Sequence, residues 1–68
     1  MEFRERLIAL RKERKETQVQ LAESIHIASR SLQALEAGQS YPKYETFLAL
    51  ASHFGVTLDY LAGLTDER

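Results

Sequence analysis

The chain has 68 residues and no cysteine, with nine lysines and arginines against ten aspartates and glutamates for a net charge of −1. Disulfide staples and thiolate metal sites are therefore excluded, and a chain this short buries only about 60% of the surface it exposes when unfolded, which leaves little room for an enzyme's pocket. No apolar run approaches the roughly 20 residues of a membrane span, and the charged start "MEFRER" lacks a secretory apolar region, so a cytoplasmic location is expected.

Charge is unevenly distributed. Residues 1–16 carry six cations and four anions, for +2. Residues 17–43 carry Arg30 and Lys43 against Glu23 and Glu36, for 0. Residues 44–68 carry Arg68 against Glu45, Asp59, Asp66 and Glu67, for −3. An anionic partner is expected to meet the front of the molecule.

No segment has the alternation of a strand, and the periodicity predicts five helices. The first runs from about Glu2 to Arg14 with Phe3, Leu7, Leu10, Arg11 and Arg14 along one stripe. The second follows Thr17, where "TQVQ" has capping-box spacing, and turns Leu21, Ala22 and Ile25 inward. The third is "ASRSLQALEAG", closed by Gly38 as a left-handed residue. Helical winding puts Ala28, Leu32 and Leu35 on one side and Arg30, Gln33, Ala34 and Ala37 on the other. The fourth spans about Tyr44 to His53, with Tyr44, Phe47, Leu50, Ala51 and Phe54 as its stripe, and Gly55 stops it. A short fifth follows Thr57 and carries Leu58, Leu61 and Leu64. Each helix has one apolar stripe and none is long enough to stand alone, so a compact all-α single domain over 1–68 is expected.

Only "HIA" separates the second and third helices, and so short a link forces a tight angle, the helix-turn-helix arrangement over about 17–37. Ile27 is placed to plug the corner. The outer side of the third helix is then a narrow row of small polar groups, suited to a DNA major groove about 12 Å wide.

At this point the stretch from Thr17 to Leu64 resembles the phage-repressor family of helix-turn-helix domains, the Cro and lambda-repressor type. The matching elements are Thr17-Gln18, Leu21-Ala22, Glu36 with Gly38, Pro42, Glu45-Thr46 and "FGVTLDYL" from Phe54 to Leu61. The resemblance implies a five-helix domain that binds an operator in double-stranded DNA, usually as a two-fold homodimer. Carried across by position, it implies base reading by Ser29, Arg30, Gln33 and Ala34. It implies phosphate contacts from Gln18, Gln39, Ser40, Tyr41 and Lys43, and a pairing of Arg11 with Glu36. No catalytic residue, metal or cofactor is implied.

The chemistry of these side chains suits those roles. Arg30 can donate two hydrogen bonds to guanine, Gln33 can pair with adenine, and the Ala34 methyl suits a thymine methyl. Gln39, Ser40 and Tyr41 offer uncharged hydrogen bonds that position without reading sequence, although Tyr41 equally suits the edge of the core. Arg11 and Glu36 lie beside apolar stripes, which suits a partly buried structural pair. Tyr44 is assigned to the core. Tyr60 and Leu64 exceed what one inner stripe needs and are assigned to a dimer contact, completion of the core being the other use. His26 and His53 are assigned to turn and surface.

The chain departs from the family pattern at three places. His26 stands where a glycine is usual, Lys15-Glu16 replaces glycine and an apolar residue, and Ala28 replaces a capping hydroxyl unless Ser29 takes over. Few cations flank the third helix, which implies weak non-specific binding and a shallow salt dependence. The main expectation is a sequence-specific transcriptional regulator, a repressor acting without catalysis and without a separate ligand-sensing domain. The alternative is a protein-interaction module on the same fold, antitoxin-like or anti-repressor, favoured by that low positive charge.

Overall fold

The computed structural model describes residues 2–68, over which five helices and no strand are formed. They are α1 (Phe3–Glu13), α2 (Gln18–Ser24), α3 (Ser29–Glu36), α4 (Tyr44–Phe54) and α5 (Leu58–Ala62), packed into 28 × 23 × 19 Å. Each contributes one leucine with no exposed surface: Leu7, Leu21, Leu32, Leu50 and Leu61 in chain order. Phe3, Leu10, Ala22, Ile25, Leu35, Ala51 and Phe54 surround these five, and Ile27 packs into the corner between α2 and α3.

Start signals act as local chemistry dictates. The Thr17 hydroxyl accepts from the Gln20 amide at 3.0 Å, while the Gln20 side-chain oxygen accepts from the Thr17 amide at 2.9 Å. Thr57 likewise accepts from the Tyr60 amide at 3.0 Å. These bonds satisfy donors that the first turn of a helix leaves unpaired.

All five helices stop in the same way. An amide five residues beyond an orphan carbonyl closes the last turn, as in Glu16 N–H to Arg11 C=O at 3.1 Å, Ile27 to Ala22 at 3.0 Å and Gln39 to Ala34 at 3.0 Å. The residue before each closing amide is left-handed: Lys15, His26, Gly38, Gly55 and Gly63. Three are glycines, and two bear side chains, Lys15 at φ 58° and His26 at φ 61°. Lys15 and His26 thus adopt the same left-handed conformation as the three glycines, under some strain.

Several expected positions are corrected. Tyr44 is 67% exposed rather than in the core, since its place at the start of α4 precedes the first turn that meets the bundle. Leu64 is 78% exposed and does not finish the core. Arg14 leaves the buried stripe of α1 and lies in solvent with its guanidinium 5.6 Å from the centre of the Phe54 ring. Ala28 is exposed as the residue preceding α3, not part of its inner side, and neither it nor Ser29 supplies a side-chain cap. His53 is no plain surface residue: its Nε2 lies 2.7 Å from Glu16 Oε2, both side chains being mostly buried.

α1 buries a cation that its sequence does not advertise. Arg6 is only 3% exposed; its guanidinium lies 4.0 Å from the centre of the Tyr60 ring and donates to Asp66. Arg68 completes the fastening of the final residues to α1 through the Glu13 carboxylate, with one hydrogen bond of 2.8 Å, and its guanidinium lies 5.4 Å from the centre of the same Tyr60 ring. The hydrogen bond from Arg68 holds the Glu13 carboxyl below its ordinary value and, at Tyr60, lowers the phenol. Arg68 is raised in turn, chiefly by Glu13.

Candidate nucleic-acid interface

α3 is anchored from beneath by Leu32, fully buried, and Leu35, 5% exposed. Three residues apart on one helix, they fix its rotation, and what faces away follows. Arg30, Gln33 and Ala37 lie in solvent, while Ser29 and Ala34 are half-buried on the flanks. No segment among the described residues lies over Arg30 or Gln33. Ala28 offers no side-chain oxygen to the first turn, which leaves its amides without a side-chain acceptor.

The far end of α3 is tied down by a buried ion pair. Arg11 Nε donates to Glu36 Oε2 at 2.6 Å and Nη2 to Oε1 at 3.0 Å, a two-point fork, and Nη1 donates to the Glu16 carbonyl at 2.9 Å. The side chains are 13% and 6% exposed. Gln18 joins them, its Nε2 donating to Glu36 Oε1 at 3.0 Å. α1, α2, α3 and the link between the first two are thus pinned at one carboxylate. Gln18 has one amide hydrogen committed inside the protein and a second left over.

Beyond Gly38 the chain runs through Gln39, Ser40 and Tyr41, all exposed, Tyr41 by 88%. Pro42 is half-buried, and Lys43 is the exposed residue that precedes α4. A groove of about 270 Å³ runs between this loop and α3, with Ser31, Ser40, Tyr41, Lys43 and Thr46 on its walls and Leu35 at its base. The structure therefore brings Arg30, Gln33, Gln39, Ser40, Tyr41 and Lys43 together as exposed groups on and beside α3. Tyr60 lies apart from them, half-buried with its ring against the Arg6 and Arg68 guanidinium groups, with Leu64 exposed nearby in sequence.

Among the described residues neither Arg30 nor Lys43 has an ion-pair partner, whereas Arg6, Arg11 and Arg68 each have one. Sequence reasoning overlooked the hydroxyls of Ser31 and Thr46. Ser31 was discoverable from helical winding, one position beyond Arg30 on the loop side of α3. Thr46 was not, because only the packing of α4 turns it toward the groove. No cluster of metal-binding side chains occurs among the described residues, and no helix there is long and apolar enough to cross a membrane.

Two short helices at a tight angle, the second presenting an open polar side over a leucine anchor, define a helix-turn-helix domain. Residues 5–67 match the helix-turn-helix domain family, and the chain belongs to it. It is 43% identical over 63 residues to an uncharacterized HTH-type transcriptional regulator, YobD, of Bacillus subtilis (strain 168), covering 93% of this chain and 56% of that protein. It is 38% identical over 61 residues to the HTH-type transcriptional activator BcrR of Enterococcus faecalis, covering 90% of this chain and 30% of that one. The cryptic phage CTXphi transcriptional repressor RstR of Vibrio cholerae is 35% identical over 70 residues, 100% of this chain and 62% of its own. A transcriptional regulator from Listeria innocua, solved by crystallography, superposes with a TM-score of 0.87 at 30% identity, over 98% of this chain and 63% of that one. The chain spans less than two thirds of each of these relatives.

Proposed function

We propose that the chain is a sequence-specific DNA-binding transcriptional regulator, a repressor that inserts α3 into the major groove of a pseudo-palindromic operator. Ser29, Arg30, Gln33 and Ala34 read base edges. Arg30 offers the two-pronged donor that guanine O6 and N7 accept, and Gln33 offers the donor and acceptor that adenine requires. Gln39, Ser40, Tyr41 and Lys43 hold phosphates beyond the C-terminal end of α3, and the spare amide hydrogen of Gln18, beside Glu36, holds another. Two copies bind together, placing two α3 helices about 34 Å apart on successive turns of the duplex. Leu64 supplies the apolar group of that contact, beside Tyr60. The domain extends over the whole of 1–68 and acts in the cytoplasm of a bacterial cell, encoded by the cell or a phage, without catalysis.

One observation carries this function: Arg30 and Gln33 stand uncovered on a helix whose rotation Leu32 and Leu35 fix. Relatives named as a repressor and as an activator support regulation by DNA binding, and the repressor aligns with the whole chain. In-vitro selection from random duplexes tests the proposal. The expected result is a two-fold symmetric site, bound with an affinity that falls as salt rises. Arg30→Ala then removes the preference at one base pair per half-site. A purified protein with no salt-sensitive binding to any selected duplex overturns it, and favours an interaction module on the same fold.

A further inference from the structure

We propose that Arg4, on α1 and outside the helix-turn-helix, is a further anchor for a DNA phosphodiester, in a cleft it forms with Ser40 and Tyr41. The proposal rests on the DNA-binding function above and deepens it.

Four observations converge on this residue. First, Arg4 lies directly against Gly38: a Cβ built there would sit 3.0 Å from Arg4 Cδ and 3.3 Å from Nε. Gly38 is thus required twice, once by its φ of 76° and once by the approach of the arginine stem. Second, that contact seats the guanidinium beside the start of the 39–43 loop, the segment richest in exposed donors next to α3. Third, a cleft of about 250 Å³ opens there, with Arg4, Ser40 and Tyr41 at its mouth and Phe3 and Leu35 beneath. It has ample room for a phosphate group, and its apolar floor lends the polar groups at the mouth a drier setting.

The fourth observation separates Arg4 from the structural arginines. Arg6 and Arg11 are buried and hydrogen-bonded to carboxylates, and Arg68 grips Glu13. Arg4 is half-exposed, and its sole ion-pair partner among the described residues is Glu2 at the lip of the cleft, with Nε 3.5 Å from the carboxylate oxygen. That is well beyond the roughly 2.7–2.9 Å of a charge-assisted hydrogen bond. Its fork of donors is therefore positioned yet unspent, and such a fork matches two phosphate oxygens. Glu2 is exposed, and its carboxylate is also engaged in the capping box at the start of α1, which holds it to the helix rather than to Arg4.

Arg4→Gln and Arg4→Lys proteins, measured against wild type on the selected operator and on an unrelated duplex of equal length, test the assignment by fluorescence anisotropy across a salt series. Each phosphate contact contributes about 0.9 to the slope of log affinity against log salt, and two bound copies lose one each, so raising salt from about 50 to about 200 mM should weaken wild type about 12-fold more than Arg4→Gln. The loss should be equal on both duplexes, since a phosphate contact reads no sequence. Arg4→Lys should restore the slope. A merely structural role for Arg4 moves the melting temperature and leaves the slope alone. If Arg4→Gln keeps the wild-type slope while Lys43→Ala lowers it, the Arg4 anchor is overturned and the DNA-binding function stands. If wild type binds no duplex in a salt-sensitive way, both fall together.

Discussion

The packed seam between α1 and the final residues and the open side of α3 treat their arginines in opposite ways. Between α1 and the final residues three arginines are consumed: Arg6 lies beneath Tyr60 and against Asp66, Arg11 is forked onto Glu36, and Arg68 holds Glu13, while Arg4 and Arg14 at the two ends of α1 stay open to solvent. On the side of α3 and the loop after it, Arg30 and Lys43 reach into solvent without a carboxylate. Arginines held by carboxylates maintain the fold, and basic groups left unpaired are available to an outside anion. Net charge cannot distinguish the two populations, which is why an overall −1 says so little about binding.

The sharpest way to break this contrast is to remove a consumed partner. Glu36→Ala leaves Arg11 buried without its carboxylate and frees Gln18, and should lower stability by about 3–5 kcal/mol, read from the urea midpoint. Arg30→Ala should do the reverse. It should change stability by less than about 0.5 kcal/mol, yet cost about 1–3 kcal/mol of discrimination at one base pair in competition binding. If Glu36→Ala were as mild as Arg30→Ala in the urea experiment, the division into structural and free cations would be lost.

Smaller effects sharpen the picture at the margins. His26→Gly relieves a left-handed side chain, which costs about 1–2 kcal/mol, while glycine's extra unfolded freedom gives back about 0.5–1 kcal/mol. A net gain of roughly 0.5–1 kcal/mol in thermal or urea unfolding is expected, and a loss would mean the imidazole makes a contact of its own. The smallest effect belongs to the exposed Glu13–Arg68 pair. Its bond lowers the Glu13 carboxyl from 4.5 in the folded state, so its contribution is present above that value and disappears as pH falls through the lower folded one. Glu13→Gln should therefore flatten the acid limb of stability against pH and leave neutral-pH stability little changed. A steeper limb would contradict the pairing.

What could be read from the sequence was local. Thr17 with Gln20 and the spacing of Gly38 and Gly55 define helix ends through bonds that span three to five residues, and the 3.6-residue period of Leu32 and Leu35 fixes which side of α3 is buried. Those signals gave the five helices and the open side carrying Arg30 and Gln33. The missed features share another property: their partners are far away in the chain. The burial of Arg6 depends on Tyr60 and on Asp66, sixty positions on, and the pairing of His53 with Glu16 spans thirty-seven. Periodicity states that a position faces inward; it cannot state that a distant ring and carboxylate will make that inward place tolerable for a charge. Tyr44 failed for a related reason, because the stripe of α4 includes it while the bundle begins to cover that helix only a turn later.

The distribution of leucines, one fully buried in each helix, has a consequence for how the molecule comes apart. With every helix adding its buried side chains to one common hub, none carries a private cluster to hold it together once detached. Partial opening therefore gains little freedom before the hub is breached, and the chain should lose its structure in one step, from any end. Amide protons in α3 should then exchange with solvent water no more readily than those in α1, so that the segment facing an operator is as firmly kept as the scaffold behind it.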